Sequence, residues 1–83
     1  MSGNIYASGP AYDAATVTPS DSTHLGNVRG LFVGGAGNVA VTTAKGTTLT
    51  FTGVVAGTIL PVMVAKVLST GTTATNIAAL YHE

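Results

Sequence analysis

The chain contains no cysteine and no tryptophan, and only 7% of its 83 residues are charged. Without thiols it has no disulfide framework and no thiolate metal site, yet a chain of 8.2 kDa buries only roughly 60% of its unfolded surface and is marginal alone. Three basic residues, Arg29, Lys45 and Lys66, balance three acidic ones, Asp13, Asp21 and Glu83. A typical soluble domain is about 25% charged. So neutral a surface lacks the field that captures nucleic acid or an anionic membrane, and neither partner is expected. It suits a chain packed against other protein, through oligomerisation or docking onto a larger body.

Basic residues and a continuous apolar core are also missing from the N-terminus, MSGNIYASGPAYDAA, so no signal peptide is expected and synthesis in the cytoplasm is the default. An uncharged window of membrane-spanning length lies between Lys45 and Lys66, GTTLTFTGVVAGTILPVMVA. Its threonines, glycines, Pro61 and early alternation argue against a membrane helix.

What the chain does have is threonine and valine, fourteen and ten respectively. β-Branched side chains lose freedom in a helix and pack well on a pleated surface. Residues 1–16 lack a sustained period and read as an arm; Pro19, between short oxygen-bearing side chains, marks a turn. Val28 to Val33 reads as a short strand. Val39, Val41 and Thr43 then alternate with Ala40, Thr42 and Ala44; Lys45-Gly46 turns the chain, and Leu49 and Phe51 alternate with threonines. Gly53 to Gly57 bends the chain again. Thr58 to Leu68 reads as a longer strand covered on both faces, with Pro61 at its start or beside an unpaired edge. Ser69 to Thr73 is a turn, and Ala74 to Tyr81 a last strand. The fold class expected is all-β: a small antiparallel β-sandwich or barrel, jelly-roll-like, over residues 17–83, preceded by an extended arm, 1–16.

The stretch Gly34-Gly35-Ala36-Gly37 raises the one question of chemistry, because Gly35-x-Gly37-x-x-Ala40 fits the dinucleotide fingerprint. Such a site needs the glycine turn to open a helix whose N-terminal amides hold the pyrophosphate. Here a strand pattern follows, and the acidic residue expected about twenty positions on is replaced by Val54 to Gly57. The expectation is a hairpin connection in which Gly34, Gly35 and Gly37 take positive φ.

Other candidates are weaker. His24 and His82 lack a third ligand, so neither a metal nor another cofactor is expected. Ser20, Asp21, Ser22 and His24 hold the letters of a hydrolase triad on one turn, where consecutive positions do not align nucleophile, base and orienter. No catalytic residue is assigned and no enzyme is expected. Phe32 and Phe51 are expected in the core. Ile5, Tyr6 and Tyr12 lie in the arm, where amphipathic rings make anchors for a partner's pocket, the alternative being exposed rings in a tail.

Taken together, "VTPSDS" at 17–22, "RGLFVGGAGNVAVTT" at 29–43 and "TLTFTGVVAGTILPVMVAKVLSTGTTATNIAALY" at 48–81 resemble the small spike base proteins of gene transfer agents and related tailed phages. The most telling pieces are the Thr-Pro-Ser-Asp turn, Leu-Phe-Val-Gly-Gly, Gly-x-x-x-Gly-x-x-Leu-Pro-Val and Thr-Gly-Thr-Thr-Ala-Thr, all turn and strand signatures. The resemblance implies a β-rich virion protein on the capsid surface, made in the host cytoplasm, forming a homo-oligomeric ring that seats a head spike or fibre protein at the fivefold vertices. A pentamer is favoured, with a trimer as alternative. The arm would dock on the major capsid protein or a neighbouring subunit. Two rival functions are a trimeric cement or decoration protein spread over the shell, and a carbohydrate-binding module using turns such as Thr70 to Asn76.

Overall fold

The computed structural model describes residues 10–83. Seven strands follow one another: β1 Asp13–Thr16, β2 Val28–Gly35, β3 Gly37–Thr43, β4 Thr48–Val54, β5 Thr58–Leu60, β6 Val64–Val67 and β7 Thr75–Tyr81. They form a four-stranded sheet of order β1-β7-β2-β5 and a three-stranded sheet of order β4-β3-β6. Every pairing is antiparallel. The two sheets pack as a small β-sandwich, as the alternating valines and threonines dictate.

The core is aliphatic. Leu31 and Val33 of β2, Ile77 and Ala79 of β7, Val39 and Val41 of β3, and Val64 and Val67 of β6 meet between the sheets. Their spacing of two puts each pair on one face of its strand; in β6 the spacing is three, across a sequence interrupted by Ala65 and Lys66. Val17, Val28, Val54 and Ala74 close the ends of this cluster. Burying each valine, leucine or isoleucine stabilises the fold by about 1.5–3 kcal/mol. The last four residues of the segment read as an arm, Asp13 to Thr16, lie along β7 as an edge strand whose four residues are all exposed.

Three expectations are corrected. The glycine stretch is not a hairpin connection, because β2 and β3 belong to different sheets and do not pair. Gly34 and Gly35 continue β2, and only Gly37 has positive φ, 154°. The single strand read over Thr58 to Leu68 is split: β5 pairs with β2, whereas β6 pairs with β3 in the other sheet. Pro61 has no N–H for a ladder and stands where the chain changes sheet, so alternation alone could not show the break. Finally, Phe32 is not core. It falls between the fully buried Leu31 and Val33, and strict alternation turns its ring outward, 37% exposed. Phe51 is half-buried and packs against the core from β4.

The central hairpin follows the sequence closely. Val41 pairs with Leu49 and Thr42 with Thr48, and Gly46 closes the turn at φ 107° with its N–H donating to Thr43 O at 2.9 Å. Among the described residues no helix is long and apolar enough to cross a membrane, and the uncharged window supplies β4, β5 and the start of β6.

Candidate interaction surface

The glycine stretch is packed against the start of β7. A Cβ on Gly34 would stand 2.9 Å from Asn76 Cβ and O, one on Gly35 would collide with the Thr75 hydroxyl, and one on Gly37 would stand 2.6 Å from Ala74 N. The neighbouring amides are already used. Asn38 N–H donates to Thr73 Oγ1 at 2.9 Å, Asn38 O accepts from Thr73 N–H and Ala74 N–H, and Asn38 Oδ1 accepts from Gly53 N–H. The Asn38 amide is thus not available to an anion, and β3 begins where a dinucleotide site would need its helix. These glycines permit close approach of backbones.

Hydroxyls of the 70–73 turn are spent in the same way. Thr70 binds Asp21, Thr72 Oγ1 accepts from Ala40 N–H at 2.9 Å and donates to Ala40 O, and Thr73 Oγ1 serves Asn38. The turn lies over Ala40 on the outer side of β3, which explains why Ala40 is 3% exposed although it alternates with core valines. A glycan would find few free hydroxyls here.

The segment between β1 and β2 is laid along β6. Ser20 N–H donates to Val67 O at 2.8 Å and Leu25 N–H to Ala65 O at 2.7 Å, so the edge of β6 is covered. Asp21 fixes this segment: its carboxylate accepts from Thr70 N–H at 3.0 Å and from Thr70 Oγ1–H at 2.6 Å. These bonds, with smaller contributions from Ser69, hold its pKa below the ordinary carboxylate value of 3.8. Ser20 Oγ accepts from Thr23 Oγ1–H and Ser22 N–H. The letters of the triad are therefore turn and staple chemistry, with Asp21 turned to Thr70. Among the described residues no group of three or more His, Asp or Glu side chains converges on a metal position. His82 Nδ1 lies 2.9 Å from Glu83 O.

Beside its exposed threonines and serines the surface presents large apolar side chains. Among the described residues these are Tyr12, Phe32, Val55, Ile59 and Met63, and alternation beside Leu31 and Val33 is the sequence signal that places Phe32 among them. On the outer face of the four-stranded sheet, Phe32 is paired with Ile59 on one side and Ala78 on the other, and Ala78 with Thr16. This row crosses all strands from edge to edge without a charge. Leu80, paired with Gly30 and Ala14, begins the next row, its Cδ1 over the position a Gly30 Cβ would take. Of the arm residues expected to make contacts, Tyr12 is 70% exposed and its N–H donates to Tyr81 O. Ile5 and Tyr6 lie outside the described residues. The Arg29 guanidinium donates to Pro10 O at 2.7 Å, which ties Pro10 to β2.

No family model and no curated protein matches this chain. Among solved structures, the chain is similar to one in the capsid of a native GTA (gene transfer agent) particle computed with C5 symmetry. The identity is 45%, the TM-score 0.74, and the match covers 84% of this chain and 83% of that one.

Proposed function

The chain belongs to the family of that gene transfer agent capsid chain, and from this premise we propose that it is a virion structural protein on the capsid exterior. In this reading it forms an oligomeric ring at capsid vertices that seats a head spike or fibre. The carrying observation is the 45% identity over 84% of the chain. Composition supports it: a neutral surface with an uncharged apolar row centred on Phe32 and Ile59 is poorly suited to isolation in water and well suited to burial between protein surfaces. Residues 1–16 act as the attachment arm, with Ile5, Tyr6 and Tyr12 as anchors on the major capsid protein or a neighbouring subunit.

Position and copy number on purified particles test the reading. A vertex ring predicts density confined to vertices, and vertices offer about a tenth or less of the lattice sites in most closed shells. Copies spread over the whole lattice would replace it with the cement protein reading. Absence of the protein from purified particles would end both.

A further inference from the structure

Among the described residues the four-stranded sheet has two edges with no further strand, β1 and β5, at opposite sides. We propose that β5 of one copy pairs antiparallel with β1 of the next, head to tail, so that this sheet runs on from subunit to subunit and closes the ring. The inference rests on the ring reading above and adds to it the surface that builds the ring.

Strand parity is the first argument. β1 is antiparallel to β7, β7 to β2 and β2 to β5, so β1 and β5 run in opposite directions. A second copy in the same orientation, placed beside β5, therefore offers its β1 antiparallel to it. Contacts of this heterologous kind propagate from copy to copy and form a cyclic ring where the rotation between copies closes, whereas β1 against β1 or β5 against β5 stops at a dimer.

The second argument is that the other sheet cannot propagate. Its β6 edge is occupied by the Ser20–Val67 and Leu25–Ala65 backbone bonds, so among the described residues β4 is the one open edge there, and pairing of that edge with itself gives at most a twofold pair. The third is the match between the two edges. β1 has four residues and β5 three, both short. Asp13 is the single charge on either strand, and its carboxylate already accepts from Ala14 N–H at 2.8 Å. Edge strands left solvent-exposed are normally guarded by short length, lysine, proline or a bulge; both edges here are short, but neither carries a lysine or a proline, and Ile59 in the centre of β5 is 58% exposed. With sheets joined edge to edge, the row from Thr16 through Ala78 and Phe32 to Ile59 continues into the next copy on one side of the ring wall.

The absence of cysteine makes the test clean. Full-length Thr16→Cys/Ile59→Cys and Ala14→Cys/Ile59→Cys chains sample two registers that keep both thiols on the outer face. Each is treated with a short bismaleimide, in solution and on purified particles, beside its single-cysteine parents. The expected result is a covalent ladder beyond dimer that ends at the ring number in at least one double variant, with monomers in the single variants. Ile59→Lys changes an exposed side chain and should keep the native circular dichroism spectrum while losing the higher oligomers. Dimers from a single-cysteine parent, or monomers alone both in solution and on particles, would overturn the proposal. A ladder from copies spread over the whole shell would uphold the edge pairing while refuting the vertex reading.

Discussion

Asp21 and Thr70 are 49 residues apart in sequence, yet the Asp21 carboxylate accepts both the N–H and the hydroxyl of Thr70, at 3.0 and 2.6 Å. This contact ties the β1–β2 segment, lying along β6, to the turn that leads into β7. Because the folded pKa is depressed below 3.8, the ionised carboxylate contributes stability that is fully present above that value and is lost as pH falls through the folded pKa. Asp21→Asn should therefore lower the melting temperature at neutral pH, and the gap from the native chain should close as pH drops below about 4. Thermal melts across this range check it; a gap independent of pH would mean that the carboxylate's charge does not matter.

Neighbouring positions on β2 should respond in opposite ways. Leu31→Ala removes a fully buried side chain and is expected to cost about 2–5 kcal/mol in urea unfolding. Phe32→Ser changes a ring that faces outward, so stability should move by less than about 1 kcal/mol while self-association weakens. A large stability loss for Phe32→Ser would place that ring back in the core.

These two residues also mark how far the sequence could be read. Alternation through Val39, Val41, Leu49 and Phe51, with Lys45-Gly46 between, made β3 and β4 legible, as did the apolar spacing of β7. Each relies on neighbours along one strand. The size and hydrophobicity of Phe32 point to the core, whereas its parity against Leu31 and Val33 turns it outward. The break at Pro61 was illegible for another reason: Thr58 to Leu68 is apolar throughout, and which sheet each half joins depends on partners in β2 and β3. The same holds for Gly34 and Gly35, whose need for bare backbone arises from Asn76 and Thr75. Of the candidate surface, the neutral composition was visible early, whereas the row from Thr16 to Ile59 required the strand order.

The glycines themselves separate turn chemistry from close approach. At Gly37 an added Cβ meets the backbone of Ala74 at 2.6 Å, and backbone cannot swing aside as a side chain end does. Gly37→Ala should cost more than about 2 kcal/mol, combining strain at positive φ with this clash. Gly26 has nothing within 4 Å and no positive φ, so Gly26→Ala should be neutral or stabilising by up to about 1 kcal/mol. Equal effects in denaturant unfolding would contradict the packing of β3 against the start of β7.

Truncation distinguishes attachment from folding. β1 covers one side of β7, with Ala15 paired to Ala79 and Thr16 to Ala78, and Val17 N–H donates to Ile77 O. Removing residues 1–16 strips that side of β7 and leaves its backbone groups unpaired, so this variant should melt earlier and aggregate through the uncovered edge. Removing residues 2–9 keeps β1, the Tyr12–Tyr81 bond and the Arg29 contact to Pro10. That shorter deletion should melt much closer to the native chain than the deletion of 1–16 does and fail to attach to particles, because it keeps β1 on β7 and loses the proposed anchors Ile5 and Tyr6. Sedimentation of each variant with purified particles, beside its thermal melt, reads the two effects separately. Full occupancy by the shorter deletion would take attachment away from the first residues and assign it to the β-domain.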